Sequence, residues 1–451
     1  MLLRLTIVAA LCGFLFGFDE GVISGALPYL QRVFSFSSTW EGLMTAAVPL
    51  GAAGGALVGA LMSDRYGRRL LLIGSAVLFV FGSVLSSVSF NIGMLTGARL
   101  IIGAAIGCST LVAPQYLSEL APADVRGRVV ATFQLMINIG ILCSYLSDLT
   151  LVSLDMGTLS GDNVVWRLMF LVAIAPAILM LVGIRTAPES PRWLVMKGRS
   201  DAAASVLSGV QPALPKAEID RMVGEMVADD REWQEEVGWS HLFAPNIRHV
   251  TLFAMIAFFF QQVSGINVVI YYAPEIMKNL GFQAVTAQLS ATVGIGVILV
   301  CSTAFSMLLV DRLGRRPLLI VGFIGAAMCL ATIAYVMGSS SKSDDIVALY
   351  ALCIFIFFFS ISIGPLPWIY MSELFPTELR GRGMALAVLT NWAMTFLVVF
   401  LFPVVSGSLG LVATFAIFAG FCGLGVLFAF KFAPETKGIP LEELQVSLGT
   451  E

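Results

Sequence analysis

Two oppositely charged side chains lie inside apolar stretches of the sequence. Asp19 lies 9 residues before Pro28, near the end of its stretch, which is about 13 Å along a helix. Arg99 lies about 9 Å inside another stretch on the same scale. An ionised Asp19 is expected to pair with Arg99, and a neutral one to release it, so proton binding would bias one conformation over another. A permanent ion pair that only fixes helix packing is the alternative.

Glu20 follows Asp19 but points about 100° away around a helix, so we expect it to be peripheral.

A second set of residues suits a neutral ligand rich in hydroxyl groups, such as a sugar. Amides both donate and accept hydrogen bonds, and aromatic rings cover the apolar faces of a ligand ring. One buried amide more often joins two helices, so the whole set carries the prediction. Gly265 would let its helix break near several of the amides, and Gly364-Pro365-Leu366-Pro367 prevents a regular helix before Trp368. The candidates are Gln134 and Asn138 on one helix face, Gln261, Gln262, Asn267, Trp368, Asn391 and Trp392.

The composition indicates which elements position these residues. Of the 451 residues 58% are hydrophobic and 12% are charged, and the net charge is −3, whereas soluble domains carry about 25% charged residues. This excludes a soluble enzyme, a nucleic-acid binder and a disordered scaffold. The apolar runs of about 20 residues predict membrane-spanning helices in an all-α protein. All seven cysteines lie in apolar runs, so we expect no disulfide framework, no metal and no cofactor other than a proton as coupling ion.

Twelve spans are predicted, and 21 of the 26 basic residues fall on the side that would hold both termini. The positive-inside rule makes this side cytoplasmic in a multi-pass cell-membrane protein. Asp19 and Glu20 interrupt the first apolar run, which favours a retained span over a cleaved signal peptide. The predicted spans are 5–30, 43–62, 70–90, 93–117, 129–149, 165–185, 248–276, 287–310, 317–338, 346–371, 383–406 and 409–432.

Three motifs recur in the same order at nearly one period. Asp64-Arg-Tyr-Gly-Arg-Arg69 returns 247 residues later, Ser118-Glu-Leu-Ala-Pro 254 later and Pro188-Glu-Ser 246 later. Repeats in this order predict two pseudo-symmetric six-helix bundles with a binding site between them near the bilayer midplane. The predicted division is 1–185 for the N-terminal bundle, 186–247 for a cytoplasmic linker of short helices rather than a floppy chain, 248–432 for the C-terminal bundle and 433–451 for a cytoplasmic tail.

The arginine-rich loops supply charges that could hold the cytoplasmic side closed. Their arginines can pair with Glu119 and Glu373 at neighbouring helix ends, and release them as the halves rock apart. Topology anchoring by positive charge alone is the alternative. The predicted latch consists of Arg65, Arg69, Glu119, Arg126, Arg312, Arg316, Glu373 and Arg380.

These paired loops, together with Pro188-Glu-Ser-Pro-Arg-Trp193 and Pro434-Glu-Thr-Lys-Gly438, resemble the sugar porter family of the major facilitator superfamily over essentially the whole chain. The nearest likeness is to bacterial proton-coupled monosaccharide symporters. The resemblance implies that Asp19 is the proton site. It also implies that Phe16 lines a sugar pocket with Gln134, Gln261, Gln262, Asn267, Trp368 and Asn391, and that Tyr271 and Tyr272 belong to an outer gate. Interfacial tyrosines of an aromatic belt are the alternative for that pair.

Two departures from the family bear on the sugar. Leu299 replaces an asparagine of many relatives, and Asn391-Trp392 matches the glucose facilitators, where the xylose symporter has Gln-Trp.

The expected function is therefore uptake of a monosaccharide with one proton by a monomer in the bilayer, with no nucleic-acid partner. A facilitative uniporter, a polyol, inositol or drug carrier and a sugar sensor stay open as alternatives. An enzyme is not expected, since His241 and His249 both fall at the predicted cytoplasmic entrance to span 7 and no nucleophile–base set is visible.

Overall fold

The apolar runs form helices in a computed structural model, which describes residues 2–121, 126–155, 162–212, 214–232, 238–339 and 344–437. No strand occurs in these ranges. Helices dominate because backbone groups in lipid must be hydrogen-bonded within their own segment. Eleven helices in these ranges have the length and hydropathy of a span, and the last of them, Gly381–Phe432, has 52 residues. A bilayer needs about 20 residues, and Gly410 with φ +81° divides this helix into two spans, so the described ranges hold twelve spans, as predicted.

The helices of the N-terminal half follow the predicted spans closely. Asn91 begins span 4 by accepting a hydrogen bond from the backbone N–H of Met94 at 2.8 Å. Spans 1 to 6 are Leu2–Phe34, Ser38–Tyr66, Arg68–Ser87, Ile92–Leu120, Arg126–Asp155, and the pair Asp162–Val172 and Ile174–Thr186.

The C-terminal half has two broken spans, where the glycine and proline signals predicted them. Spans 7 to 12 are Arg248–Val263 with Ile266–Tyr271 and Ala273–Asn279, then Val285–Leu313, Arg315–Met337, Asp344–Phe358 with Leu366–Leu374, and Thr377–Phe432 for the last two. A single π-helical turn, Phe359–Ile363, lies inside span 10.

The described part of the linker is folded. Its helices are Pro191–Met196, Ser200–Val210 and Lys216–Glu232, followed by a 3-10 turn, Trp239–Phe243. Leu194, Leu207 and Ile219 are buried together between these helices. The described part of the linker therefore has a small apolar core of its own.

Close helix contacts within and between the halves position the site. Along span 1, a Cβ on Gly17 would lie 1.8 Å from the carbonyl oxygen of Ile137, so spans 1 and 5 pack backbone to backbone. Between the halves, span 2 packs along span 11 and span 5 along span 8. We call the side of the arginine-rich loops and the linker the terminal face, and the opposite side the distal face. At the distal face, a Cβ on Gly42 would lie 2.2 Å from the carbonyl oxygen of Phe400.

Candidate functional site

The break in span 7 aims its amides at span 11. Gly265 has φ +85°, a left-handed conformation that side chains rarely adopt, and the helix restarts at Ile266. The Gln262 amide nitrogen donates to Asn391 Oδ1 at 2.5 Å. Asn267 Nδ2 in turn donates to Gln262 Oε1. The three predicted amides therefore form one buried network across spans 7 and 11.

Gln261 reaches the broken part of span 10. Its Nε2 donates to the carbonyl oxygen of Ile363 at 3.1 Å and to that of Gly364 at 2.6 Å. These carbonyls lie where the π-turn and the prolines interrupt the helix, and four residues after Ile363 stands Pro367, which has no N–H to donate. The amide thereby joins spans 7 and 10 at their irregular segments.

Aromatic rings from both halves adjoin this network. The Phe16 ring of span 1 meets the Trp392 ring of span 11 edge to face, with centroids 5.1 Å apart. Trp392 is buried, and its Nε1–H has no hydrogen-bond partner among the described residues. Trp368 is half-buried and packs edge to face on Phe258 at 5.0 Å. An indole N–H without a partner beside an amide network is a ready donor for a hydroxyl group.

Span 5 contributes at the contact between the halves. Asn138 Nδ2 donates to Thr303 Oγ1 of span 8 at 2.6 Å, so it joins two helices. Gln134, one helical turn earlier, is half-buried. Among the described residues, Gln134 and Trp368 make no hydrogen bond to the amide network. The structure thus unites Gln261, Gln262, Asn267 and Asn391 directly, with Phe16 and Trp392 beside them.

Asp19 and Arg99 face each other inside the N-terminal half. Arg99 Nη2 lies 3.6 Å from Asp19 Oδ2, and the side chains are 0% and 2% exposed respectively. Arg99 Nε donates to the Met44 carbonyl oxygen at 3.1 Å, and its guanidinium lies 5.9 Å from the centre of the Phe170 ring. Neither Asp19 Oδ2 nor the two terminal nitrogens of Arg99 has a hydrogen-bond partner in the described part of the chain. Asp19 and Arg99 therefore form a buried ion pair without a hydrogen bond between them, and the sequence predicted this pairing.

Glu20 and the two tyrosines of span 7 lie at the contact between the halves near the distal face. Glu20 is only 4% exposed, so the expectation that it is peripheral is wrong. Tyr271 Oη donates to Glu20 Oε1 at 3.4 Å, and Tyr272 Oη donates to the Val399 carbonyl oxygen at 3.0 Å. Both tyrosines are fully buried, which contradicts the alternative of a lipid-facing aromatic belt. Span 1 has neighbouring helices on several sides. A side chain that points about 100° away from Asp19 around this helix therefore still faces protein and not lipid.

The N-terminal arginine loop forms a buried network at the terminal face. Gly67, with φ +93°, separates spans 2 and 3 and turns Arg68 inward. Arg68 Nη2 lies 3.1 Å from Glu119 Oε1 and 3.0 Å from Asp64 Oδ1. The other oxygen of Glu119 accepts a hydrogen bond from the Ser190 hydroxyl. Glu189 accepts from the backbone N–H groups of span 3, at 3.0 Å from that of Arg68.

The C-terminal half repeats this network, with Thr436 in the place of Ser190. Arg315 Nη2 lies 3.2 Å from Glu373 Oε1, whose other oxygen accepts from Thr436 Oγ1 at 2.6 Å. Glu435 accepts backbone hydrogen bonds from Arg315 and Arg316 at the start of span 9. Burial raises the pKa of Glu435, but the backbone donors outweigh it, so the pKa lies below its ordinary value.

The arginines that pair with the two glutamates differ from those predicted. Arg68 and Arg315 make the pairs, whereas Arg65 lies over the Tyr66 ring at 5.2 Å. Arg69 and Arg316 donate to the backbone carbonyls of Arg185 and Phe430, which end spans 6 and 12. The carbonyl of Arg312 accepts from Lys437 Nζ at 2.7 Å. The prediction failed because the glycine before each pair of arginines reverses the chain, so the first arginine after it points inward.

Two predicted latch residues, Arg126 and Arg380, lie outside the residues whose side chains the structure describes.

Sequence reasoning missed Ser190, Thr436, Glu189 and Glu435 as members of these networks. Their signal was present, since Pro-Glu-Ser and Pro-Glu-Thr were recognised as a repeat. A carboxylate followed by a hydroxyl, just after a span, is suited to capping one helix and contacting a second.

Twelve helical spans within the described ranges, in two similar halves with polar side chains enclosed between them, define a polytopic membrane transporter rather than an enzyme. The chain belongs to the sugar porter family of the major facilitator superfamily, because the family model "Sugar (and other) transporter" matches residues 5–448.

Curated relatives and solved structures agree with this membership. The chain is 36% identical to the major myo-inositol transporter IolT of Bacillus subtilis, over 97% of this chain and 92% of that protein. It is 36% identical to the galactose-proton symporter of Escherichia coli, over 98% of this chain and 93% of that protein. A structure of the proton:xylose symporter XylE matches with a TM-score of 0.83 and 30% identity, covering 99% of both chains.

Proposed function

We propose that the protein takes up a monosaccharide together with one proton by alternating access. The observation that carries this proposal is the buried pair of Asp19 and Arg99, 3.6 Å apart with almost no exposure. A buried carboxyl next to a single guanidinium can exchange its charge for a proton, and conformations that differ in this contact then differ in proton affinity.

The sugar is proposed to bind at the amide network. Gln262, Asn267 and Asn391 bond to one another here and can exchange those bonds for sugar hydroxyls, since each amide both donates and accepts. The indole N–H of Trp392, which has no hydrogen-bond partner within the described ranges, adds a donor. Phe16 supplies a contact from the other half, so a sugar bound there would touch both halves.

Alternating access would use the breaks in spans 7 and 10. Sugar binding draws Gln261 and Gln262 toward the ligand, and these side chains are tied to the irregular segment of span 10 and to span 11. Protonation of Asp19 removes its attraction to Arg99 and allows the occupied protein to reorient. The two terminal-face networks around Glu119 and Glu373 are proposed to form and release as the halves rock.

The orientation proposed for the chain places the terminal face in the cytoplasm of a cell-membrane protein. It follows from the excess of basic residues on that side. The division at residues 185, 247 and 432 and a monomeric state complete the proposal, with a proton as the coupling ion.

Addition of sugar to a lightly buffered cell suspension tests the coupling. Symport predicts that the medium becomes alkaline as sugar enters. Uptake of labelled sugar without alkalinisation would leave a facilitative uniporter. The galactose-proton symporter and the XylE likeness support the first outcome.

A competition panel on the purified protein would identify the substrate. It should contain pentoses, hexoses and myo-inositol, because a relative with 36% identity is a myo-inositol transporter. Displacement of labelled sugar by inositol alone would favour a polyol carrier that uses the same amides.

A further inference from the structure

Three carboxyl groups share the interior of the N-terminal half with one guanidinium. Asp19, Glu20 and Asp148 are 2%, 4% and 0% exposed, and Arg99 is 0% exposed. Among the described residues, no three acidic, histidine or cysteine side chains are grouped as a metal ion would need. The excess of carboxyl groups over cations at this depth is therefore more readily balanced by protons than by a metal.

Glu20 differs from Asp19 in its partner. Its Oε1 accepts a hydrogen bond from Tyr271 of the other half, at a long 3.4 Å. Close to this contact, Tyr145 Oη of span 5 donates to the Ile270 carbonyl oxygen of span 7 at 2.9 Å. Both bonds cross between the halves near the distal face, so Glu20 is enclosed when that face is closed.

The surroundings of Glu20 disfavour its charge in this closed arrangement. Arg99 on span 4 lies against Asp19, the Met44 carbonyl and the Phe170 ring, and no salt bridge joins it to Glu20 in the described part of the chain. Asp19 itself is a like charge on the same helix. An ionised Glu20 would therefore have one long hydrogen bond in place of its water shell.

The other titratable groups around Glu20 give it no cation either. On span 5, Asp148 lies against Gly25, and neither of its carboxyl oxygens has a hydrogen-bond partner among the described residues. One turn beyond Glu20, Ser24 borders a cleft of about 520 Å³ at the distal face, shared with Glu275 and Lys278. Lys278 lies on that open cleft, beyond the tyrosines that cover Glu20.

We propose that Glu20 is a second proton site, whose protonation lets the distal face close and whose proton returns to the side it came from. When the distal face opens, the contact with Tyr271 is lost and water reaches the carboxyl, which ionises. Closing again requires a proton from the distal side. Because Glu20 lies beyond Asp19 toward that side, its proton is taken up and released there and adds nothing to the transported charge.

The proposal rests on the proposed alternating access, and it separates two effects of pH. Distal pH should set the rate of closure through Glu20, whereas the sugar gradient reached at equilibrium should depend on Asp19. If closure of the distal face requires a proton on both Asp19 and Glu20, its rate at alkaline distal pH falls up to about a hundredfold per pH unit. If closure requires only one proton, the rate falls about tenfold per pH unit.

The test is equilibrium sugar exchange in right-side-out membrane vesicles, with the distal pH varied and the terminal-face pH held. Glu20→Gln should reduce the fall in the exchange rate with rising distal pH from about a hundredfold to about tenfold per pH unit. The variant should accumulate sugar to the same level as the unaltered chain. Glu225→Gln is the matched control, because Glu225 is exposed on a linker helix. Glu20→Met, which has a similar length and no charge, repeats the test if the amide variant fails to insert.

An unchanged dependence on distal pH in both Glu20 variants would overturn the proposal. Lost accumulation with normal exchange would also overturn it, because Glu20 would then carry a transported proton. Sugar exchange can be measured whether or not a proton travels with the sugar, so its dependence on distal pH decides on Glu20 even if sugar-linked alkalinisation is absent and the symport proposal itself fails. In that case one proton is required, and Glu20→Gln should reduce the fall in exchange rate from about tenfold per pH unit to none.

Discussion

Replacement of Asp19 by asparagine separates coupling from binding. The substitution keeps the side-chain volume but removes the charge that faces Arg99 at 3.6 Å. At an effective dielectric constant of about 20, two unit charges at this distance attract by about 4–5 kcal/mol. Desolvation of both groups offsets part of this attraction, which keeps the proton exchangeable. The variant has nothing left to titrate at this position, so proton binding can no longer bias the conformations.

Asp19→Asn is expected to lose all accumulation of sugar, that is, the whole excess of the internal over the external sugar concentration. One proton moved through 100 mV provides about 2.3 kcal/mol, and about 1.36 kcal/mol corresponds to a factor of ten. A coupled carrier can therefore concentrate sugar about fifty-fold, and Asp19→Asn should reach only the external concentration. Binding should persist, because the amide network of Gln262 and Asn391 belongs to the other half.

The assay is uptake of labelled sugar into proteoliposomes with an imposed potential, beside sugar counterflow without one. Asp201→Asn makes the same chemical change on an exposed linker helix and should accumulate normally. Accumulation by Asp19→Asn would refute the assignment of the proton site. Loss of both accumulation and counterflow would show instead that the pair only maintains the packing of spans 1 and 4.

Three further changes test the site, the packing and the terminal-face network. Gln262→Ala leaves two buried amides without a partner, so sugar affinity measured by equilibrium binding should fall about ten- to a hundredfold; unchanged affinity would move the site elsewhere. Gly17→Ala places a methyl group against a backbone oxygen and should lower the free energy of unfolding by about 1–3 kcal/mol, while Gly54→Ala, which has open space, should not lower the melting temperature. Glu435→Gln should lower the melting temperature at pH 7. Because the folded pKa of Glu435 is lowered, its contribution is complete above the unfolded value of about 4.3 and is lost as pH falls through the folded value, so a difference in melting temperature that does not shrink on acidification below about pH 4 would contradict this origin.

The fold could be predicted from the sequence because each span is a continuous apolar run. The helix breaks could be predicted because Gly265 and the prolines before Trp368 disfavour a regular helix. The Asp19–Arg99 pair was also predictable, since both charges stood alone at similar depth. The side chains that complete each site were harder to find. Whether Arg68 or Arg69 points inward depends on the turn at Gly67, and the burial of Glu20 depends on where span 7 of the other half lies. Such facts arise from packing between segments that are distant in the chain.

The duplicated networks at the terminal face have a consequence for how the protein opens. In each copy a glutamate from one span is held at once by an arginine from the start of the preceding span and by a hydroxyl beyond the sixth span of that half. While these contacts are formed, each half is stapled along its own edge and its helix ends cannot fray; when they release, the spans of that half can shift separately. The two staples differ in exposure, since Arg68 and Glu119 are 2% and 8% exposed whereas Arg315 and Glu373 are 13% and 23% exposed. Added salt should therefore weaken the staple of the C-terminal half more than that of the N-terminal half.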